Sequence, residues 1–113
     1  MRRQEASKGK NMKVYMKIHS TGQRYGHRFI IAVCDKDLIG KTVKDKKITL
    51  KISERFYKGT LRTDEEVVEI LREAVNANIM GKESIKLALK AGIIKKENII
   101  KIKGVPHAQA VAF

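Results

Sequence analysis

Three kinds of side chain in this sequence have the chemistry to act on another molecule. The first is a thiol beside a carboxylate, Cys34-Asp35. The second is the run Gly104-Val105-Pro106-His107-Ala108-Gln109, where an imidazole and an amide follow a proline. An imidazole within reach of Asp35 makes an acid–base pair, and one within reach of Cys34 makes an activated nucleophile. A histidine after a proline turn is more often a structural hydrogen-bonding residue, and a cysteine in an apolar run is more often a small buried hydrophobe. The third kind is cationic. The chain has 25 Lys+Arg against 12 Asp+Glu, a net charge of +13 over 113 residues. A field of that sign attracts polyanions and raises encounter rates with them. Heat adaptation is the competing explanation, but it raises Lys and Glu together. Here Lys rises alone, which favours a polyanionic partner.

The charge is unevenly placed. Residues 1–12 carry +3, residues 13–35 carry +3, residues 36–58 carry +5, residues 59–81 carry −3 and residues 82–113 carry +5. One acidic helix therefore sits in a basic chain. The basic candidates form four groups. Arg2, Arg3, Lys8 and Lys10 lie on a segment without apolar periodicity, read as a flexible N-terminal arm over residues 1–12. Lys13, Tyr15, Lys17, Lys47, Lys51, Lys101 and Lys103 alternate with apolar residues and are expected on one sheet face, with Tyr15 able to stack on a base. Alternating lysine also keeps any one-sided sheet in solution and blunts its edges. Lys82, Lys86 and Lys90 recur every four residues on one side of a helix. Arg55 and Lys58 flank Phe56 and Tyr57; the plainer reading of that ring pair is Phe56 in the core and Tyr57 at its edge.

The elements that must position these groups can be read from periodicity. Lys13–His19 alternates with Val14, Met16 and Ile18 on one face. Arg28–Val33 is apolar on both faces, as in a central strand. Lys47–Ser53 places Ile48, Leu50 and Ile52 inward. Ile99–Lys103 is a fourth strand and Ala110–Phe113 a short fifth, with Ser20–Gly26 a hairpin loop. Thr63-Asp64-Glu65-Glu66 is a capping box that opens a helix through Asn78, closed by Gly81. A second helix over Lys82–Ala91 stops at Gly92. The expected fold is α+β: a mainly antiparallel sheet of four to five strands, two helices on one face, the Lys/Tyr face in water, and a single domain over residues 13–113 after the arm.

Several classes are excluded. No window approaches the roughly 18 apolar residues of a membrane span, and Met1-Arg2-Arg3 is followed by polar residues rather than the apolar run of a signal peptide. Cys34 is the lone cysteine, and His19, His27 and His107 lack metal-ligand spacing. Phosphate loops, dinucleotide glycine motifs and paired acidic motifs are missing, so no cofactor is expected. A reducing cytoplasm fits these features.

Ala32-Val33-Cys34-Asp35, Leu38-Ile39-Gly40-Lys41, Ser53–Gly59, Ala74–Gly81 and Gly104–Gln109 occur in this order. The set resembles the archaeal family known as domain of unknown function 424, over roughly residues 14–113. The basic arm and the Gln23–His27 insertion depart from it. The resemblance implies an archaeal cytoplasmic protein without established enzymatic activity, linked to translation as an RNA-binding module. It carries over no catalytic residue, but it singles out Cys34, Asp35, Asn78, His107 and Gln109. The resulting expectation is a non-enzymatic RNA-binding protein that meets ribosomal RNA and ribosomal proteins through phosphate contacts, with no membrane partner and no DNA preference. The alternative is a small enzyme using His107 with Asp35 or Cys34. A third reading, docking through the acidic helix Asp64–Glu73, needs an exposed apolar strip on that helix.

Overall fold

The computed structural model describes residues 12–21 and 28–111. The arm candidates Arg2, Arg3, Lys8 and Lys10, most of the expected Ser20–Gly26 loop, and Ala112 and Phe113 lie outside the described residues. Strands β1 (Val14–Thr21), β2 (Arg28–Asp35), β5 (Thr60–Arg62), β6 (Asn76–Met80), β7 (Ile100–Ile102) and β8 (Val105–Val111) form one mixed sheet in the order β5-β1-β2-β6-β8-β7. Strands β3 (Thr42–Lys44) and β4 (Thr49–Lys51) form a separate ribbon. Helices α1 (Glu54–Tyr57), α2 (Asp64–Arg72) and α3 (Lys82–Ala91) complete the described chain, with short 3-10 turns at Lys36–Leu38 and Lys96–Asn98.

The α+β class matches expectation, but the sheet is larger and one pairing is parallel. Strands β2 and β6 run parallel, with Val33 opposite Ile79 and Cys34 opposite Met80, and every other pair is antiparallel. Parallel neighbours need a crossover, and α2 lies on the crossover between them.

That crossover corrects one expectation. The capping box forms as read: the Thr63 hydroxyl accepts from the Glu66 N–H at 3.1 Å, and the Thr63 N–H donates to the Glu66 carboxylate at 2.9 Å. The helix, however, ends at Arg72, not near Asn78. Residues Asn76–Met80 are a central strand, with Ala77 and Ile79 fully buried on one side. Apolar residues at 67, 70, 71 and 74 continue in register with 78, so the helical period runs on past the helix. The alternation of Ala77 and Ile79 with Asn76 and Asn78 then takes over. Val75, placed on the helix face by sequence, is 56% exposed in the bend between them.

Two apolar layers flank the sheet. On one side Val14, Met16, Ile31, Val33, Ala77, Ile79 and Ala108 pack against Val67, Val68 and Leu71 of α2 and Ile85, Leu87 and Ala88 of α3. On the other side Ala32, Cys34 and Met80 pack against Ile52 and Tyr57, with Leu38, Val43, Leu50 and Phe56 around them. The ribbon and α1 thus roof part of the face expected to stay in water. β2 is buried on both faces over residues 31–35, as its apolar run implied, while Phe29 near its start is 47% exposed. Ile48 is 45% exposed at the ribbon tip rather than inward. The last hairpin turns on Lys103 and Gly104, both at positive φ (53° and 80°), as two-residue hairpins require. Pro106 therefore lies within β8 rather than in a turn.

Helix α3 starts at Gly81, which has no side chain to cap it. The cap arrives from β2. The Asp35 carboxylate accepts from the Glu83 N–H (3.1 Å), the Ser84 N–H (2.8 Å) and the Ser84 hydroxyl (2.7 Å). Gly81 has φ 108°, and a Cβ there would stand 2.3 Å from Asp35 Cγ. Gly81→Ala should therefore cost about 2–4 kcal/mol in urea unfolding, and Asp35→Ala a similar amount through orphaned buried donors. Gly92→Ala, at a C-cap with open space around it, should cost about 1 kcal/mol. Equal losses at Gly81 and Gly92 would show that the clamp on Asp35 contributes nothing.

Cys34 is fully buried, and its thiol donates to the Asp35 carbonyl at 3.3 Å. Burial, then the Asp35 and Asp37 carboxylates, push its pKa up to about 12. At pH 8 only about one thiol in 10⁴ is ionised. A thiol-specific disulfide reagent should label the native chain slowly and the urea-unfolded chain fast; equal rates would contradict this burial.

Candidate nucleic-acid interface

The expected basic groups do not share one sheet face. Lys13 and Lys86 both pair with Glu83 at 3.8 Å. Lys13, Lys36 and Lys82 line a cleft of about 310 Å³ that also contains Asp35, Asp37 and Glu83. Lys90 lines another, of about 300 Å³, with Asp64, Glu65 and Glu69. The Lys82, Lys86 and Lys90 stripe is thus interleaved with carboxylates. Lys101 is opposite Pro106 in register, which puts it on the helix side of the far edge strand. Lys103 is at the hairpin turn. Tyr15 is half-buried between Cys34 and Leu61 in neighbouring strands.

What the fold does gather is the charge of residues 36–58. All eight bases of this stretch, Lys36 to Lys58, are exposed. In the ribbon Val43 and Leu50 face the sheet, so Thr42, Lys44, Thr49 and Lys51 face outward. Lys46 and Lys47 occupy the tip, where the Lys46 N–H donates to the Asp45 carboxylate at 2.6 Å. Among the described residues none of these eight bases is in an ion pair. Lys47, Lys51, Arg55 and Lys58 were expected at a binding surface. Lys36, Lys41, Lys44 and Lys46 were missed, although the +5 of this stretch pointed to them. The acidic helix α2 lies on the opposite side of the sheet, so the roof and α2 carry opposite charge.

A cleft of about 450 Å³ opens beside the roof, lined by Lys17, His19, Ser53, Arg55 and Phe56. The Ser53 hydroxyl caps α1 by accepting from the Phe56 N–H at 3.1 Å. Lys17 Nζ donates to the Arg55 carbonyl. The His19 ring lies flat on Phe56, centroids 4.5 Å apart and planes 13° apart, and its Nε2 bonds the Phe56 carbonyl at 2.8 Å. Because a carbonyl only accepts, Nε2 carries the proton. The two rings exchange the roles read from sequence: Tyr57 is buried, its hydroxyl pKa pushed up to about 12 by burial and then by Cys34, while Phe56 lines the cleft. His19 was not singled out by sequence; its partner Phe56 is 37 residues away.

The acid–base alternative is not assembled. Asp35 points into the helix layer as the cap of α3. His107 is opposite Met80 in register, on the roofed face, and its Nδ1 donates to the Ile79 carbonyl at 2.9 Å. Cys34 shares that face, but Met80 stands between them, two strand spacings or about 10 Å from Cys34 to His107. The acidic-helix alternative fares similarly: none of the large exposed hydrophobic residues, Ile18, Phe29, Ile48, Val75, Ile100 and Val111, lies on α2. Among the described residues no three of His, Cys, Asp or Glu are grouped to hold a metal ion, and no helix is long and apolar enough to cross a membrane.

Comparison with known proteins follows the same outline. The crystal structure of an uncharacterized conserved protein from Methanopyrus kandleri superposes with a TM-score of 0.74 at 32% identity, covering 88% of this chain and 93% of that one. No curated protein matches the chain. The model of the family described as "Protein of unknown function (DUF424)" matches residues 23–113. The chain belongs to the DUF424 family.

Proposed function

We propose that this protein binds RNA, with ribosomal RNA in a ribosomal particle as its partner and ribosomal proteins as its neighbours there. One observation carries the proposal: five exposed bases outside any ion pair among the described residues, Lys44, Lys46, Lys47, Lys51 and Arg55, sit on the roof formed by the ribbon and α1, flanked by Lys41 and Lys58, on the far side of the sheet from the acidic α2. Lysine ammonium groups meet phosphates as point charges and release counterions. The opposed charge of the roof and α2 orients the molecule, roof toward the polyanion and α2 away from it. Such contacts read no base, so the roof itself gives no preference for DNA or RNA sequence.

Two measurements test this reading. Binding to purified ribosomal RNA should fall steeply with salt, with a log–log slope of about −4 to −6 if five to seven phosphates are contacted; a flat response would remove the proposal. Charge reversal should also be position-dependent. Lys44→Glu with Lys51→Glu should weaken binding about tenfold or more, whereas Lys86→Glu with Lys90→Glu, beside Glu83 and the acids of α2, should weaken it less. The reverse ranking would move the contact surface to α3.

A further inference from the structure

The roof covers only part of its sheet face, and the uncovered part has a composition of its own. Register places Asn78 opposite Gln109, with Ala32 on its other side and Lys17 beyond that. One row further along, Asn76 stands opposite Val111. Asn76 and Asn78 are half-buried, Gln109 is exposed and Val111 is 55% exposed. None of the three side-chain amides bonds a protein group among the described residues. Amides in the middle of a central strand lower β propensity, and an apolar residue at either position would extend the second core. Their presence on an open face, unpaired, calls for an external partner.

We infer that this open half of the sheet is a platform for a single-stranded RNA segment, whose bases are read by Asn76, Asn78 and Gln109. The inference rests on the RNA-binding reading and assigns its second, selective contact. Each amide offers both donors and an acceptor, the set that matches base edges. Asn76 and Asn78 are two residues apart on a strand, about 6.6 Å. That is wider than the rise of about 3.4 Å between stacked bases of a duplex strand, so the spacing suits splayed bases. At the rim, the 450 Å³ cleft holds the His19–Phe56 ring stack with Lys17 and Arg55. A planar base entering there extends the stack, and its phosphate meets the two cations. This combination of stacking and edge reading on splayed bases is how single-stranded RNA is recognised. Bases paired inside an A-form helix keep their Watson–Crick edges from the amides.

Fluorescence anisotropy of the full chain with 12-nucleotide single strands of each base, and with a 12-base-pair duplex, at one moderate salt concentration tests this. Single strands should bind about fivefold or more tighter than the duplex, with one base preferred. Asn78→Ala with Gln109→Ala should bring the ratio between the best and worst base toward one while leaving the salt slope unchanged. Phe56→Leu should lower single-strand affinity about tenfold. Should Phe56→Leu unfold the chain, the two amide substitutions, at an exposed and a half-exposed site, decide alone. Steep salt dependence with equal affinity for duplex and single strand, unaltered in the amide variant, overturns the platform and leaves the roof reading standing. Absence of salt-dependent RNA binding by the unaltered chain overturns both.

Discussion

The Asp35 carboxylate on the N-terminus of α3 is the constraint on which the rest of the arrangement depends. A helix start leaves N–H groups without partners, and a buried carboxylate costs several kcal/mol unless donors surround it. Here each need meets the other: two backbone N–H groups and the Ser84 hydroxyl converge on one carboxylate. The positive end of the helix dipole favours the same charge. Gly81 makes the approach possible, because any side chain there would occupy the space of the carboxylate. The Gly81 N–H in turn donates to the Pro106 carbonyl at 2.9 Å. Strands β2 and β8 and helix α3 are thus tied together at the end of β6, and the helix layer has one position on the sheet.

Once that layer is set, the two sheet faces have different fates. Valine, isoleucine and leucine fill the helix side. The other side has small or thin residues at its centre, Ala32 and Cys34, over which a short ribbon and a four-residue helix can close. A roof that small has room for only a few inward side chains, Val43, Leu50, Ile52 and Tyr57. Most of its remaining residues face water, the lysines Lys44, Lys46, Lys47 and Lys51 among them. The concentration of positive charge follows from geometry: a thin cover has a high ratio of outer surface to buried surface. It also stops short of β8, which leaves the amides uncovered.

Much of this order is legible from residues close together in the chain. The capping box at Thr63, the left-handed stop at Gly92, the alternation of β1 and the two-sided apolar run of β2 are all local, and each forms as read. The errors are also physical. Asn76–Met80 continues a helical period by coincidence, and asparagine is a poor strand former, so nothing within reach of α2 marks the change of structure. Strands β3 and β5 have three residues each, too few for an alternation to stand out. The Asp35 clamp joins residues 48 and 49 apart, and the Asn78–Gln109 pair joins two strands by register alone. Such long-range meetings decide the candidate site. Composition located its charge, in the +5 stretch of residues 36–58, and could not locate its amides.

The roof and the open platform differ in how much each must be ordered to bind. Lysines of the ribbon end in long chains with several rotatable bonds, and fixing each one on a phosphate costs side-chain entropy. Their attraction extends over about a Debye length, so they gather a polyanion before any contact is close. The amides are short and stand on β6 and β8, inside a six-stranded sheet held by the α3 clamp. The two half-buried asparagines have fewer bonds to fix than a lysine, while the exposed Gln109 still loses side-chain entropy on binding. A preorganised donor set discriminates by geometry. Its contacts act only at hydrogen-bond distance and are far less screened by salt. Capture and selection would then reside in different elements, a cationic roof with flexible side chains and a fixed polar sheet, joined at the cleft where Lys17 and Arg55 meet the His19–Phe56 stack. On this reading a strand drawn in by the roof would pass the cleft on its way to the amides, and a duplex, whose Watson–Crick edges are already paired, would have none of them to offer there.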